Sequence, residues 1–443
     1  MTAFSLEPAQ LAWCAELRTL AAERLRPVAE KGEPGRVDRA LVAELGTLGL
    51  LSRLFTSGAL DLCLMRESLA HACTEAETAL ALQGLGAHPV HAHGTPAQRA
   101  RWLPGVSDGS VVAAFALSEP DAGSDAAALS LTAEPDGRAG PAETTERGAV
   151  ADARGEAAGW GAVADARGEA AGRGAVADAR GEAAGRGAVA DAAPAPASPA
   201  AHHDGRSGWR LTGEKCWISN APDADFYTVF ARTTPGAGAR GVTAFLVPAD
   251  RPGLTGSRLD MLSPHPIGAL RFDAVPVSAD DVLGEVDRGF RVAMDTLNLF
   301  RPSVGAFAVG MAQAALDATL AHTARRDAFG GKLKDLQSVA HQVAEMALRT
   351  ESARLMVYAA ATAYDEGTAD VPRRSAMAKL LATETAQYVV DRAVQLHGAR
   401  ALQRGHLLEH LYREVRAPRV YEGASEVQRG IVAKELYRNL EDR

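Results

Sequence analysis

A thirteen-residue repeat in the middle of the chain restricts most strongly what this sequence can fold into. The unit RGAVADARGEAAG begins at Arg147 and recurs from Trp160 and from Arg173, and a fourth copy is incomplete. Residues 147–192 contain no Leu, Ile, Met or Phe. The repeat therefore cannot bury enough apolar surface to offset the entropy of ordering it. We predict a mostly disordered excursion over residues 135–207, with short helices as the alternative, rather than a solenoid.

Outside the repeat the hydrophobic pattern changes twice. Residues 6–115 place apolar side chains at helical spacing, whereas residues 208–283 form short β-branched or aromatic runs separated by Gly, Pro, Asn and Asp. After Gly289 the segments are long and rich in Ala and Leu. The repeat would interrupt a β hairpin, at little cost because closure entropy grows only with the logarithm of loop length. The pattern predicts an α+β protein with three domains: an N-terminal helical domain over 1–115, a middle β domain over 116–283 and a C-terminal helical domain over 284–443.

Composition and charge exclude several classes of function. The 443 residues carry a formal net charge of −8, so we expect no surface for a phosphate backbone and no binding of nucleic acid. The four cysteines show no CxxC spacing, which favours a reducing compartment over a disulfide framework. The sequence begins without a basic region ahead of an apolar run, and it has no stretch of about twenty apolar residues. We expect a cytoplasmic protein with no membrane partner.

Three literal motifs are better explained without a bound ligand. The G-x-G-x-x-G motif from Gly236 is followed by a strand rather than a helix, so we interpret it as a glycine-rich turn. The H-x-x-E-H motif from His406 has no His or Cys after it to serve as third ligand, which favours an exposed polar helix face. The histidines of residues 88–93 stand beside Pro89 and Gly94, which predicts a polar turn. We expect no metal site.

Five motifs occur in an order that resembles the acyl-CoA dehydrogenase family. They are A-L-S-E-P-D-A-G-S-D from Ala116, G-E-K-C-W-I-S-N from Gly213, R-D-A-F-G from Arg326 with Gln337, Q-L-H-G from Gln395, and V-Y-E-G-A-S-E-V-Q around Glu422. The resemblance implies that family's fold, in which a small β-barrel or sandwich lies between an N-terminal helical domain and a C-terminal four-helix bundle. It also implies a flavoprotein that oxidises a CH–CH group with FAD.

The resemblance assigns the central role to Glu422. It would be the base that takes the α-proton of an acyl thioester while the β-hydride passes to flavin N5. An apolar pocket would raise the pKa of the carboxyl group as this step requires, and hydrogen bonds to the thioester carbonyl would acidify the α-proton. The substrate contacts implied are Ser124, Arg301 and Gly423. The FAD contacts implied are Leu117, Ser118, Trp217, Ile218, Ser219, Arg326, Phe329, Gln337, Gln395, Gly398, Ala424 and Glu426.

The sequence departs from the family pattern in two ways. Ala399 and Ala424 stand where family members commonly have Gly and Thr, which predicts weaker binding of FAD through lost hydrogen bonds or a lost close approach. Ser263-Pro-His-Pro replaces the usual R-x-S stretch before the last long strand. The residues that would contact CoA are therefore not assigned, and the thioester carrier is either CoA or an acyl carrier protein.

The resemblance predicts an acyl-thioester α,β-dehydrogenase of fatty acid metabolism that passes electrons to electron-transfer flavoprotein. It implies assembly at least as a homodimer, and by family habit as a homotetramer. One alternative is a flavin oxidase or monooxygenase on the same fold. Glu422 favours the dehydrogenase, because hydroxylase relatives need no α-proton base. Another is an acyl-carrier-protein-linked dehydrogenase of a biosynthetic pathway. A scaffold function would require the repeat to bind a partner.

Overall fold

The computed structural model describes residues 6–136 and 208–441, with side chains to residue 438. The segment 137–207 contains the repeat and lies outside the described residues, as do the short helices considered as its alternative. Both described parts belong to one packed unit. What the sequence predicts for the repeat therefore stays a prediction.

Helices occupy the described N-terminal residues as far as Asp108, which confirms the helical spacing in this part of the sequence. A π-helical segment, Ala21–Leu25, joins the first two helices. The helices are α1 Pro8–Leu20, α2 Arg26–Ala29, α3 Arg39–Thr47, α4 Leu50–Thr56, α5 Ala59–Ala72, α6 Thr74–His93 and α7 Pro96–Asp108.

The histidines of residues 88–93 lie in the last turns of α6, so the predicted turn is wrong. Pro89 is inside the helix, and Val90 beside it is fully buried. Packing of such side chains outweighs the backbone hydrogen bond that proline cannot donate. The His88 ring lies 6.1 Å from the Phe300 ring, centroid to centroid, and burial lowers the pKa of His88 to about 4.

Eight strands form the middle sheet within the described residues. They are β1 Ala113–Ala116, β2 Thr132–Pro135, β3 Gly208–Ser219, β4 Phe226–Arg232, β5 Val242–Pro248, β6 Leu254–Arg258, β7 Ile267–Ser278 and β8 Val282–Leu283. The order across the sheet is β6-β7-β3-β2-β4-β5-β8, and β1 pairs with β4 in parallel. β2 and β3 pair antiparallel on either side of segment 137–207, as predicted for an interrupted hairpin. The G-x-G-x-x-G motif forms a turn, Gly238–Gly241, that leads into β5, so its interpretation is confirmed.

Long helices form the C-terminal bundle, in agreement with the predicted class. They are α8 Gly289–Arg325, α9 Gln337–Asp365, α10 Val371–His397, the short α11 Leu407–Glu414, and α12 Ser425–Glu441. A small hairpin of β9 Asp327–Ala328 and β10 Gly331–Lys332 separates α8 from α9. α8 is at the centre, in contact with α9, α10 and the N-terminal α5. It is long and apolar enough to cross a membrane, but 72% of its apolar stretch is buried, which is typical of a core helix.

The H-x-x-E-H motif has a structural role at α11. His406 caps the first turn of the helix, and Glu409 Oε1 forms an ion pair with Arg413 Nε at 2.8 Å. His410 is half-buried, with Nε2 at 2.6 Å from Thr74 Oγ1, so the predicted exposed face is wrong at this residue. Contact between α11 and the start of α6 explains the difference. Among the described residues, no group of three metal-ligating side chains is assembled.

Candidate active site

The loop before α12 holds Glu422 in an unusual backbone conformation. Glu422 has φ 51° and Gly423 has φ 95°. Positive φ costs a non-glycine residue on the order of 1–3 kcal/mol and persists only when the surroundings enforce it. The φ of Gly423 favours glycine, and a Cβ added there would lie 2.2 Å from Gln428 Nε2, so Gln428 would have to move.

Three side chains from different helices hold this loop by its carbonyl groups. Arg301 Nε of α8 donates to the Glu422 carbonyl at 3.3 Å, and Lys379 Nζ of α10 donates to the Gly423 carbonyl at 2.6 Å. Gln428 Nε2 of α12 donates to both carbonyls, at 3.2 Å and 3.1 Å. These bonds account for the strained backbone. They also place Arg301 and Gly423, two of the predicted substrate contacts, at Glu422.

The Glu422 carboxyl group has the environment of a proton acceptor. Its Oε2 atom is buried and has no hydrogen-bond partner among the described residues. Burial raises the pKa of Glu422, because the charged form is desolvated, and the positive charges of Arg66, Lys379 and Arg301 oppose this shift. Burial also lowers the pKa of Lys379 to about 8. A carboxyl group with a raised pKa and a free oxygen can accept a proton from carbon near neutral pH.

The residues predicted around the flavin ring are joined by a buried ion pair. Lys215 Nζ donates to Glu119 Oε1 at 2.8 Å and to the Leu117 carbonyl at 2.9 Å. Glu119 also accepts from the backbone N–H groups of Ser130 and Leu131, at 2.6 Å and 3.0 Å. This pair connects the first two sequence motifs. Lys215 and Glu119 stand inside those motifs, but sequence reasoning gave neither residue a role.

A break in β3 turns Trp217 out of the sheet. Trp217 has φ 57°, and the register between β3 and β7 shifts between Lys215 and Ile218. The indole is 46% exposed, whereas the Ile218 side chain is buried in the sheet core. The Cys216 N–H donates to the Ser118 carbonyl at 3.0 Å, so the two flavin-ring segments lie side by side. Of this group, Ile218 could meet a cofactor only through its backbone.

A basic cleft of about 620 Å³ lies between the ends of α8 and α10. Arg326 and His397 line it, and the imidazole rings of His322 and His397 stack at 4.2 Å. The predicted contacts Gln395 and Gly398 belong to the same end of α10. The other basic residues that line the cleft are Arg325, Arg400 and His406. The charges of the cleft come from Arg325, Arg326 and Arg400, because burial lowers the pKa values of His322 and His397. Three arginines in one cleft fit the diphosphate of a dinucleotide.

The remaining predicted contacts lie apart from this cleft. Phe329 is 91% exposed at the tip of the β9–β10 hairpin, and Gln337 is exposed at the start of α9. Ala424 and Glu426 follow Glu422 at the start of α12, and Ser124 is exposed in the loop after β1. Within residues 6–136 and 208–441, no hydrogen bond or ion pair joins the cleft to Glu422 or Trp217. The chain thus brings most of the predicted residues together in three groups, whereas Ser124, Phe329 and Gln337 lie outside them.

Comparison with known proteins agrees with the predicted fold class. Three domain descriptions match in order: acyl-CoA dehydrogenase N-terminal domain at residues 7–110, middle domain at 187–275 and C-terminal domain at 287–437. The short-chain specific acyl-CoA dehydrogenase of Bos taurus mitochondria is 30% identical over 434 residues, covering 95% of this chain and 88% of the relative.

The chain belongs to the acyl-CoA dehydrogenase family. Family members are FAD-dependent oxidoreductases that act on the CH–CH group of donors. FadE25 of Mycobacterium tuberculosis is 38% identical over 233 residues, a match that spans 52% of this chain and 60% of that relative. The structure of butyryl-CoA dehydrogenase from Megasphaera elsdenii has a TM-score of 0.77 and 27% identity, covering 98% of this chain and 99% of that one. The residues around Trp217 and the basic cleft fit the family's FAD.

Proposed function

We propose that this protein is an FAD-dependent acyl-thioester α,β-dehydrogenase in which Glu422 removes the α-proton. The observation that carries the proposal is the buried and unpartnered Oε2 atom of Glu422, in a loop that Arg301 and Lys379 hold by its carbonyl groups. A carboxylate in this position is desolvated and fixed in direction. Both properties favour transfer of a proton from carbon.

The other residues bind and orient the reactants. FAD, when bound, would supply flavin N5 as the acceptor of the β-hydride. Leu117, Ser118, Trp217 and Ser219 would hold the flavin ring, and the Glu119–Lys215 pair would keep their two segments together. Arg326 and the basic cleft would hold the diphosphate, with Phe329, Gln337, Gln395, Gly398, Ala424 and Glu426 as further contacts.

We also propose that the FAD site is completed between copies of the chain, in a homodimer or homotetramer. The cleft has no described contact with Trp217 or Glu422, and large apolar side chains are exposed on the C-terminal helices. Leu348 of α9 is 62% exposed, and Leu436 and Tyr437 of α12 are 50% and 67% exposed. Electron-transfer flavoprotein would accept the electrons. The four cysteines are free, which supports the proposed cytoplasmic location.

The carrier of the acyl group is CoA or an acyl carrier protein. The Ser263-Pro-His-Pro segment, which replaces the family's R-x-S stretch, contacts α11 instead of standing free. Ser263 Oγ donates to the Arg413 carbonyl at 3.3 Å, and His265 Nε2 lies 2.5 Å from Glu414 Oε2. The segment is bound to α11, and this favours an acyl-carrier-protein substrate as the second candidate.

An anaerobic thioester panel tests the proposed function. The holoenzyme is mixed with acyl-CoA and acyl-carrier-protein conjugates of different chain length, and bleaching of the flavin is recorded. We expect bleaching by at least one thioester, and Glu422→Gln should retain FAD but lose bleaching by about 10²-fold or more. Glu366→Gln, an exposed carboxylate, is the control. No bleaching by any thioester, or unchanged bleaching in Glu422→Gln, would contradict the proposal.

A further inference from the structure

Arg66 is a buried cation whose position does not depend on the catalytic loop. It lies in α5 with a side chain only 4% exposed. Its Nε donates to Glu77 Oε1 of α6, and its Nη1 donates to Ser303 Oγ of α8 at 2.6 Å. The guanidinium also lies over the Phe307 ring, 5.9 Å from the centroid. Every one of these contacts is made outside the loop that carries Glu422.

Four charged or titratable groups face the Glu422 carboxyl group from the elements around it. Arg66, Arg301 and Lys379 are the cations that act on the carboxyl group, and Tyr421 of the same loop is the fourth group. Arg301 Nε donates to the Glu422 carbonyl at 3.3 Å, and Ser303, two residues further along α8, accepts from Arg66 Nη1 at 2.6 Å. Arg66 thus binds the same stretch of α8 that contacts the loop of Glu422. Arg301 and Lys379 also donate hydrogen bonds to the loop backbone, so their replacement would move the loop. Arg66 makes no hydrogen bond to the loop among the described residues. Its charge can therefore be changed separately from the geometry of the base.

Glu77 opposes the charge of Arg66. Its side chain is fully buried, and the groups that face it are Arg66, His265, Glu414 and Tyr421. In a buried region an added or removed charge acts over a longer distance than in water, because little solvent screens it. The field at the base therefore depends on both members of the pair.

We propose that Arg66 and Glu77 are positioning residues that together set the pH at which Glu422 becomes ionised. This inference rests on the proposed function for its catalytic meaning. Neutralising Glu77 leaves the positive charge of Arg66 unbalanced, which stabilises the Glu422 carboxylate and lowers its pKa. Removing the charge of Arg66 from that variant withdraws the stabilisation and raises the pKa again. A purely structural role would not produce opposite shifts.

The test compares Glu77→Gln with the double variant Arg66→Met/Glu77→Gln. The single variant keeps a hydrogen-bonding side chain beside Arg66. The double variant avoids the buried unpaired carboxylate that the single Arg66→Met change would leave. Glu75→Gln, two residues away on the same helix and with a side chain 44% exposed, is the matched control.

Two measurements report the ionisation of Glu422. The first is the pH dependence of flavin reduction by the best thioester. The second is an infrared titration of the protonated carboxyl band, assigned by its loss in Glu422→Gln, which needs no turnover. In Glu77→Gln we expect the acid dissociation constant of Glu422 to increase by about threefold or more. In the double variant it should decrease relative to Glu77→Gln by a similar factor, and in Glu75→Gln it should stay unchanged.

The outcomes separate this inference from the proposed function. Titrations that stay unchanged in both variants, or that move in the same direction in both, would overturn the inference. Infrared shifts in the expected directions would support it even if no thioester bleached the flavin, a result that contradicts the proposed function alone.

Discussion

Two buried ion pairs, one in the middle sheet and one between helices, connect to the site in different ways. Lys215 and Glu119 bind backbone groups as well as each other, since the ammonium contacts the Leu117 carbonyl and the carboxylate accepts two N–H groups. Arg66 and Glu77 bond mainly to side chains, and the charge of Arg66 acts on the Glu422 carboxyl group. The first pair joins segments of chain, whereas the second supplies a charge. The role of a buried ion pair is therefore indicated by the groups it contacts and not by its burial alone.

The largest effect that would sharpen this contrast is expected from Lys215→Met. The change leaves Glu119 charged and buried without its partner and frees the Leu117 carbonyl. We expect a loss of about 3–5 kcal/mol in the free energy of unfolding, together with weaker FAD binding. Chemical denaturation and flavin titration measure the two effects. Arg210→Met, in the half-exposed pair with Asp136 on the same strand, should cost about 1 kcal/mol or less; equal losses in the two variants would contradict the contrast.

A smaller effect is expected from Ser303→Ala at the helical pair. Arg66 Nη1 would lose its acceptor on α8 while its bond to Glu77 remained. Loss of an acceptor for a buried charged donor costs about 1–3 kcal/mol. FAD affinity should be unchanged, because no predicted flavin contact is involved. Thermal denaturation measures the loss of stability, and flavin titration measures the affinity for FAD. A marked decrease in FAD affinity would contradict the distinction between the two pairs.

The smallest effect is a gain of stability in Glu422→Gln. Burial raises the pKa of Glu422 in the folded state, so between its ordinary pKa and the raised one the folded state binds more protons than the unfolded state. Stability due to this group is therefore present at low pH and is lost as pH rises through that window. Gln does not ionise and so removes this loss of stability. We expect the free energy of unfolding at pH 8 to increase by about 1 kcal/mol. Chemical denaturation of the variant and of the original protein at pH 4 and pH 8 measures this increase. An equal difference in the free energy of unfolding at both pH values would contradict the explanation.

The sequence predicted structure correctly where the pattern that indicates an element lies within one short segment. The pairing of β2 with β3 and the turn at Gly238–Gly241 follow from local alternation and glycine content. It failed at residues 88–93, where Pro89 suggested a turn, and at His410, which looked exposed. In both cases packing between α6 and another element decided the result, and local propensity is weaker than such packing.

The ion pairs were missed for a related reason. Arg66 lies in α5, whose residues from Leu62 to Ala70 are all buried. A charged residue in such an apolar helix predicts an ion pair, because a buried cation requires a partner. The partner could not be named, since Glu77 lies on the next helix and Ser303 is far along the chain. The same holds for His265 and Glu414, which join the loop before β7 to α11.

The sequence by itself determined the family and the order of its domains, and it singled out Glu422 as the candidate base, because these depend on motifs whose residues are close together or in a set order. It also determined that the repeat lacks the side chains to form a core. Only the tertiary structure decided how Glu422 is held and which charges face it. Those charges come from α5, α8 and α10, and their effect depends on burial and distance, which arise only when the helices pack.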